Sequence, residues 1–267
     1  MYTLIRIAAI TIRDQMRQKS FYLLLAVAVA FVLLIRSCYQ ADYTVAGRPV
    51  DQMTLAWHAS LIVFHVIAAA MFLMTALLSM GLFSRDREDG SMVMLLCRPV
   101  DRWQYVLGRI VGIWLLSTAF MLILHLTLFL IVLANTGMMI PGYLSASLLC
   151  AVNLLFATVL TCFLALFLPN IMAAAFTLGV VGISFLSDGT FQAMQSALLR
   201  HMVAGESQVA LWRILFPKVY MLQHYASTWI TTSAFDGMPP IYVVANIVFY
   251  TGALAAAALW RFYRSEI

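Results

Sequence analysis

The chain has 267 residues, of which 64% are hydrophobic and only 10% are charged, and its mean hydropathy is +0.94. Soluble domains have about 45–50% apolar and about 25% charged residues, and a fold of this size has too little interior to bury the excess. This composition excludes a disordered chain, a collagen-like repeat, a disulfide scaffold and a nucleic-acid-binding domain. We therefore expect an all-α integral membrane protein, whose net charge of +5 reflects basic cytoplasmic loops.

Six apolar stretches are predicted to form transmembrane helices, since a helix needs about 20 mostly apolar residues to cross the hydrocarbon core. They are Phe21–Ile35, Trp57–Phe83, Tyr105–Ala134, Tyr143–Leu168, Ile171–Leu186 and Ile241–Trp260. The first and the fifth are short and require flanking residues to span the core. No Asp, Glu or Lys lies within the six stretches, and Arg109 is the one charged residue inside them.

The Lys and Arg residues are distributed unevenly between the two sides that these spans define. With the N-terminus inside, eleven lie on the cytoplasmic side and five lie outside, as the positive-inside rule requires. The eleven are Arg6, Arg13, Arg17, Lys19, Arg85, Arg87, Arg98, Arg102, Arg109, Arg261 and Arg264. The five are Arg36, Arg48, Arg200, Arg213 and Lys218. We expect a multi-pass protein of the cell membrane, in bacteria the inner membrane, with both termini in the cytoplasm.

Residues 1–19 are predicted to form an amphipathic helix that leads into the first span. Its apolar side chains recur at helical spacing, and its charged side chains lie on other faces. The apolar set is Leu4, Ile5, Ala8, Ile12 and Met16, and the charged set is Arg6, Arg13, Asp14, Arg17 and Lys19. Such a helix lies in the headgroup plane with its basic residues near anionic lipid. A charge cluster that merely orients the first span is the alternative.

The loop of residues 84–104 is the most polar segment on the predicted cytoplasmic side. It combines charges at residues 85–89 with an apolar run, Met92–Cys97, and the charges can form a polar rim around that run. Pro99 disfavours helix at the preceding residue, and Asp101 can cap the next helix with Gln104 in the capping-box position. The pattern predicts a helix, a break and a second helix. It indicates a docked partner, because a simple connection needs only about 5 residues; a solvated elbow is the alternative.

The tract of residues 187–240, between the fifth and sixth spans, is predicted to lie outside. Phe191, Met194, Leu198 and Met202 share one helical face. Aromatic residues typical of the membrane interface follow, namely Trp212, Tyr220, Tyr225 and Trp229. We interpret this tract as short helices that lie on or dip into the outer leaflet, with a small external cap as the alternative.

The sequence contains no recognisable source of energy for transport. A built-in ATPase requires a phosphate loop of the form GxxxxGK[ST], but neither lysine, Lys19 or Lys218, follows a glycine. Ion-driven transporters use ionisable groups inside the bilayer, and the six stretches hold no acidic residue. Uphill transport would therefore require a separate motor protein. We expect no catalytic residue, cofactor or metal in this chain.

Histidines within the spans are candidate haem ligands, which would indicate a different function. His65 and His125 are predicted to lie at similar depth in neighbouring antiparallel spans, as a bis-histidine haem requires. A hydrogen-bonded or cavity-facing histidine is the commoner arrangement, and together with Asn153 these residues would then line a polar cavity.

Two pairs of glycines in the spans are candidate helix-packing sites. Gly108 and Gly112 form a GxxxG pattern near the start of the third span, and Gly179 and Gly182 lie in the fifth.

The N-terminal helix and the loop of residues 84–104 resemble those of a known family. Permeases of ABC-2 type (type V) ABC transporters commonly read E-x-E-x-G-T, then L-L-x-x-P-[IV]-x-R, then G-K before the third span. The matching residues are Glu88, Gly90, Leu95, Leu96, Pro99, Val100, Arg102 and Gly108. Ser91 replaces the usual Thr, and Arg109 replaces the usual Lys. The basic run from Arg13 to Lys19 is also similar, and the layout resembles the six-span permease of the nitrous-oxide-reductase maturation system.

The resemblance implies an exporter permease that works in the lipid bilayer as a homodimer or a related heterodimer. Each of the two copies would bind one cytoplasmic ATP-binding subunit, which would hold ATP and Mg and hydrolyse the ATP. The coupling contacts of the loop would be Arg85, Arg87, Glu88, Asp89, Gly90, Ser91, Leu95, Leu96, Pro99, Asp101 and Arg102. A second contact would come from the N-terminal helix, through Arg13, Asp14, Arg17 and Lys19. The tract of residues 187–240 would form the short re-entrant helices of the family.

Two other functions remain open at this point. A membrane redox anchor would bind haem b through His65 and His125 and would show a visible absorption spectrum. A mechanotransducing subunit would use the ATPase to act on a periplasmic partner instead of moving a substrate. No feature indicates a nucleic-acid partner.

Overall fold

Long apolar runs form helices here, because a helix satisfies its own backbone hydrogen bonds where water is absent. The computed structural model describes residues 2–38, 44–45, 48–49, 52–88, 101–137, 139–140, 142–195, 216–232, 235 and 238–264. Its helices are α1 (Tyr2–Met16), α2 (Lys19–Cys38), α3 (Gln52–Met80), α4 (Leu82–Glu88), α5 (Arg102–Thr136), α6 (Tyr143–Leu164), α7 (Asn170–Gln195), α8 (Val219–Thr231) and α9 (Pro240–Arg264). Between α2 and α3, β1 (Thr44–Val45) and β2 (Arg48–Pro49) form a short antiparallel pair with Thr44 opposite Pro49. The predicted all-α membrane fold is confirmed.

Among the described residues, five helical segments are long and apolar enough to cross a membrane. They are Trp57–Ser84, Arg102–Asn135, Tyr143–Leu164, Asn170–Gln192 and Pro240–Arg264, and they correspond to the second to sixth predicted spans. The first predicted span lies within α2, a helix of 20 residues. The count of six spans stays a prediction.

The predicted boundary of the fifth span is wrong. The sequence predicts Ile171–Leu186, but α7 continues to Gln195 and carries Asp188 inside the spanning segment. In the fold, the Asp188 carboxylate is buried and lies 3.1 Å from the Nζ of Lys218. The spans therefore do hold an acidic residue, and Lys218 is not an exposed outer-loop charge, because each group compensates the other away from water.

The end of the bundle at which α4 finishes, here named the loop end, also holds the C-terminal end of α9. Phe262 packs against Phe83 and Tyr105, with ring centroids 5.9 Å apart in both cases. The guanidinium of Arg102 donates to the carbonyl of Tyr263 at 3.3 Å. The end of α4, the start of α5 and the C-terminal end of α9 therefore lie at one end of the bundle.

The central helix of the bundle is α6, which packs against α3, α5, α7, α8 and α9. Its side chains are buried along most of its length. By contrast, α9 exposes large apolar residues such as Ile241 and Phe249. Exposed apolar side chains of this kind suit a surface in contact with lipid, because lipid tails are as apolar as the side chains.

Between the fifth and sixth spans, α8 enters the bundle from the end opposite the loop end. Near its start, the carbonyl of Val219 accepts a hydrogen bond from the Asn153 amide in the middle of α6, at 3.0 Å. Near its end, Trp229 lies against Gly142, the residue before α6. Gly142 has a φ of 74°, and a Cβ there would overlap the Trp229 carbonyl, so only glycine fits. The prediction of a short re-entrant helix in this tract agrees with α8.

The rest of that tract differs from the prediction. Phe191 and Met194 continue α7 instead of beginning a separate outer helix. Leu198, Met202 and Trp212 lie outside the described residues.

Candidate coupling site

The N-terminal helix α1 packs directly on α5 at the two glycines of the GxxxG pattern. A Cβ atom on Gly108 would lie 2.8 Å from the Cβ of Ile7, and one on Gly112 would lie 2.7 Å from the Cβ of Thr11. Both distances are too short for a side chain, so the glycines allow the helices to approach closely. The pair is therefore a helix-packing site, as the sequence pattern indicates.

The second glycine pair has no close helix neighbour among the residues that the structure describes. At Gly179 and Gly182 in α7, an added Cβ would meet no described atom within 4 Å. The two glycine pairs, spaced four and three residues apart, thus have different outcomes, because glycine spacing alone does not say which face of a helix has a neighbour.

The contact between α1 and α5 runs lengthwise. The carbonyls of Leu4 and Ala8 face Gly108 and Gly112 in the same order, so the two helices point in the same direction. At 35 residues, α5 is about 52 Å long, whereas the hydrocarbon core is about 30 Å thick. The helix α5 is therefore longer than the core is thick, and α1 lies along its first turns. This alignment does not agree with a helix that lies flat in the headgroup plane.

One face of α1 contacts the bundle, and it consists of Ile7, Ala8, Thr11 and Gln15, all of them buried. Of the predicted apolar set, Ala8 lies on this face, whereas Ile5 and Met16 lie outward and are 63% and 45% exposed. Close approach to glycine backbone favours the smaller residues, and the bulky ones lie outward, where lipid is an equally apolar neighbour.

A buried arginine joins α1, α4 and α5 next to this contact. The Nη2 of Arg109 in α5 lies 2.6 Å from the Oδ1 of Asp86 in α4. Its Nη1 lies 3.2 Å from the Oδ2 of Asp14 in α1 and donates to the Thr11 hydroxyl at 3.3 Å. The Tyr105 hydroxyl donates to the second carboxylate oxygen of Asp86. Three helices that are distant in the sequence therefore meet at one guanidinium, and we name these five residues the Arg109 network.

The Arg109 network places one positive charge between two carboxylates. The side chains of Arg109 and Asp86 are 3% and 10% exposed, whereas that of Asp14 is 48% exposed and stays in contact with solvent. Arg109 and Asp86 therefore depend on each other, because removing either would leave a buried charge without compensation. Arg109 also allows the acidic groups of α1 and α4 to approach, since the two carboxylates would otherwise repel.

The burial of Asp86 corrects the prediction that it belongs to a solvated rim. Asp86 is 7% exposed, because it faces Arg109 and Tyr105 rather than water. A signal for this role is present in the motif quoted above, since Asp86 holds the first acidic position of the E-x-E pattern, two residues before Glu88. The motif does not identify its partner, which lies 23 residues further along the chain.

The predicted coupling residues at the end of α4 and beyond it remain predictions. Arg85, Arg87 and Glu88 lie in α4. Asp89, Gly90, Ser91, Leu95, Leu96 and Pro99 fall outside the described residues. Within α4, the buried Asp86 lies between Arg85 and Arg87, two of the residues that the resemblance assigns to a partner.

Beyond that segment, Asp101 is the N-terminal capping position of α5, as predicted, but it makes no capping box. Its backbone is extended, and its side chain accepts no backbone hydrogen bond. Instead, its carboxylate accepts a hydrogen bond from the side-chain amide of Gln104 at 3.2 Å. Arg102, the first residue of α5, binds the Tyr263 carbonyl and so ties the start of α5 to the end of α9.

The predicted contact residues of the N-terminal helix divide into two groups. Arg13 and Arg17 are exposed, so they are accessible to a partner or to lipid. Asp14 is bound to Arg109 and therefore has an internal role. Lys19 is the first residue of α2.

The histidines and Asn153 have contacts within the bundle. The Nδ1 of His125 lies 2.7 Å from the Ser147 hydroxyl, and Phe64 stacks on the imidazole at 4.9 Å. The Nδ1 of His65 lies 2.9 Å from its own-helix carbonyl at Leu61, and Asn153 donates to α8. These contacts favour histidines that serve packing and hydrogen bonding, and they give no support to the haem alternative.

The comparisons with known proteins agree with this architecture. The family model for the ABC-2 family transporter protein matches residues 5–267, which is nearly the whole chain, whereas a search of curated proteins finds no match. The five long apolar helices define a multi-pass membrane protein, and the family match adds the role of transport subunit. The chain belongs to the ABC-2 transporter family, and it is the membrane permease subunit of an ABC transporter rather than a catalytic subunit.

Proposed function

We propose that this permease is the membrane half of an ATP-driven exporter, and that its loop end faces the cytoplasm and docks a separate ATP-binding subunit. The observation that carries the proposal is the Arg109 network. It connects α4, which leads into the predicted docking loop, to α5, which crosses the membrane, and to α1. A contact made at the loop therefore has a rigid connection to a span.

The distribution of basic residues supports this orientation. The loop end holds eleven of the Lys and Arg residues under the predicted topology. With the buried Lys218 and Arg109 both left out, ten remain at the loop end and four on the opposite side. The asymmetry is therefore retained, and it favours a cytoplasmic loop end.

The composition of residues 89–100 supports docking of a protein at this end. The run Met92–Leu96 is apolar and is followed and preceded by charges, which is the arrangement of an interface core with a polar rim. Burial of one or two of these side chains in a partner would contribute about 1.5–3 kcal/mol each.

Motion of the ATP-binding subunit would reach the membrane through two elements. The subunit would displace α4, and Asp86 would transmit the displacement to Arg109 because both groups lose their compensation if they separate. As a continuous helix of 35 residues, α5 would carry the motion across the bilayer. The partner would bind ATP and Mg, and two permease copies would share the transport path. The same connection from α4 through Arg109 to α5 would also serve a subunit that performs mechanical work on a periplasmic partner.

The docking claim is tested by co-purification of the ATP-binding subunit with the tagged chain. Leu95→Asp and Glu88→Arg should each reduce the amount recovered by about tenfold or more, because a loss of 1.4 kcal/mol corresponds to tenfold in affinity. Glu206→Arg, which reverses an acidic residue in the tract of residues 187–240, is the matched control and should have no effect. If both loop variants assemble like the unmodified chain, the loop is only a connection.

A further inference from the structure

The start of the re-entrant helix α8 lies deep inside the bundle. Val219 contacts Asn153, which is ten residues from the start of α6, so the helix begins about 15 Å below the end of that span. This depth is close to the middle of a hydrocarbon core of about 30 Å. A helix start at this level exposes backbone N–H groups that water cannot satisfy.

Side chains of two neighbouring spans satisfy these backbone groups. The N–H of Lys218 donates to the Oδ1 of Asn246 in α9 at 3.0 Å, and the N–H of Tyr220 donates to the hydroxyl of Ser184 in α7 at 3.4 Å. The Ser184 hydroxyl itself donates to the carbonyl of Pro217 at 2.8 Å. The start of α8 is thus joined to α7 and α9 by polar contacts.

A buried ion pair lies at the same point. The Nζ of Lys218 lies 3.1 Å and 3.4 Å from the two carboxylate oxygens of Asp188 in α7, and the two side chains are 0% and 3% exposed. Two charges at this depth are costly to separate, because neither has water to replace its partner.

Apolar packing and polar contacts both act on the start of α8. Val219, Leu222 and Ala226 of α8 are buried in the bundle, and an open apolar groove of about 450 Å³ beside Pro217 is lined by side chains of α6, α7 and α9, including Phe156, Val180 and Leu254. The polar contacts at Lys218 are specific to one depth of α8, because they are lost when the helix slides along the bundle axis.

We infer that Lys218 and Asp188 are positioning residues, whose ion pair fixes the depth of α8 and thereby keeps the face of α8 that packs on α6 closed to water. This inference goes beyond the proposed function and does not depend on the identity of the motor. The exposure of Gln223, one turn beyond Val219, to water would indicate whether that face of α8 is closed. It is 1% exposed, and its amide atoms have no hydrogen-bond partner among the described residues, so water would enter readily if α8 moved.

The experiment measures labelling of a cysteine at position 223 by a water-soluble maleimide, with the full chain in lipid nanodiscs. Gln223→Cys is introduced while Cys38, Cys97 and Cys150 are replaced. Cys162, which is buried in α6, is retained as an internal control. Asp188→Asn and Lys218→Met should each raise the labelling rate at position 223 by about tenfold or more, because labelling follows the population of the locally open form, and should leave Cys162 protected.

The swapped pair, Asp188→Lys with Lys218→Asp, separates positioning from general stability. It restores opposite charges at the same two sites, so we expect position 223 to be protected again as in the parent chain. Unchanged labelling at position 223 in both single variants would overturn the inference, and so would an equal increase at Cys162. If the single variants do not fold, the swapped pair decides, and a swapped pair that fails to fold or leaves position 223 exposed would also overturn it.

Discussion

At the residue scale, Arg109 has two partners of unequal importance. Its bond to Asp86 is short and removed from water, and its bond to Asp14 is half exposed. A solvent-exposed ion pair contributes about 0–1 kcal/mol, whereas breaking a buried pair by removing one partner costs about 3–5 kcal/mol. The two carboxylates therefore have different consequences when they are changed.

Replacement of Arg109 by leucine should lower the thermal midpoint strongly, because it leaves Asp86 charged and buried. Asp14→Asn should lower the midpoint only slightly. Arg109→Leu combined with Asp86→Leu should recover much of the loss, since no buried charge remains. The measurement is the fraction of monodisperse protein after heating in detergent. An equal decrease in the thermal midpoint for Arg109→Leu and Asp14→Asn would contradict a larger contribution of the buried pair to stability.

At the element scale, the packing of α1 on α5 depends on two glycines that have no space for a side chain. Gly112→Ala should loosen α1, because the added methyl group meets the Thr11 side chain and the Ala8 carbonyl, and overpacking costs about 1–3 kcal/mol. Gly179→Ala is the matched control, since it adds the same methyl group where space is open. It should stabilise its helix by about 0.5–1 kcal/mol.

Limited tryptic cleavage at Arg13 distinguishes the two alanine variants from each other. A loosened α1 exposes its backbone to the protease, so cleavage should be faster in Gly112→Ala and unchanged in Gly179→Ala. Similar cleavage rates in the two variants would contradict the close helix contact.

The sequence predicts the helices better than it predicts their partners. The second, third, fourth and sixth spans follow from apolar length alone, because lipid requires it. The fifth span is wrong at its end because Asp188 breaks the apolar run, and its partner Lys218 lies 30 residues away. The contact of α1 with α5 is not predicted either, because helical periodicity does not distinguish an apolar face that meets protein from one that meets lipid.

The contacts within the candidate site are even harder to predict from the sequence. The motif around Glu88 locates the loop, but Arg109 enters it only as a replacement for the usual Lys. The contact of Arg109 with Asp86 and Asp14 depends on the three-dimensional arrangement of α1, α4 and α5, and no local pattern encodes it.

At the scale of the whole molecule, the two ends of the bundle differ in construction. The loop end joins α1, α4, α5 and α9 through the Arg109 network, the aromatic cluster of Phe83, Tyr105 and Phe262, and the Arg102 contact. The opposite end is closed by α8, which is fixed to α6, α7 and α9 by polar contacts. Under the proposed function, the loop end would receive the motion of the ATP-binding subunit, and α8 would close the opposite end.

The central claim is that the loop end is the cytoplasmic face on which an ATP-binding subunit docks. Site-specific photo-cross-linking in intact cells tests it most directly, with a benzophenone amino acid placed at Leu95 in one variant and at Glu206 in another. We expect the variant at position 95 to form an adduct with an ATP-binding protein, identified by mass spectrometry, and the variant at position 206 to form none. An ATP-binding adduct from position 206, or none from position 95 in a variant that is expressed and folded, would contradict the account.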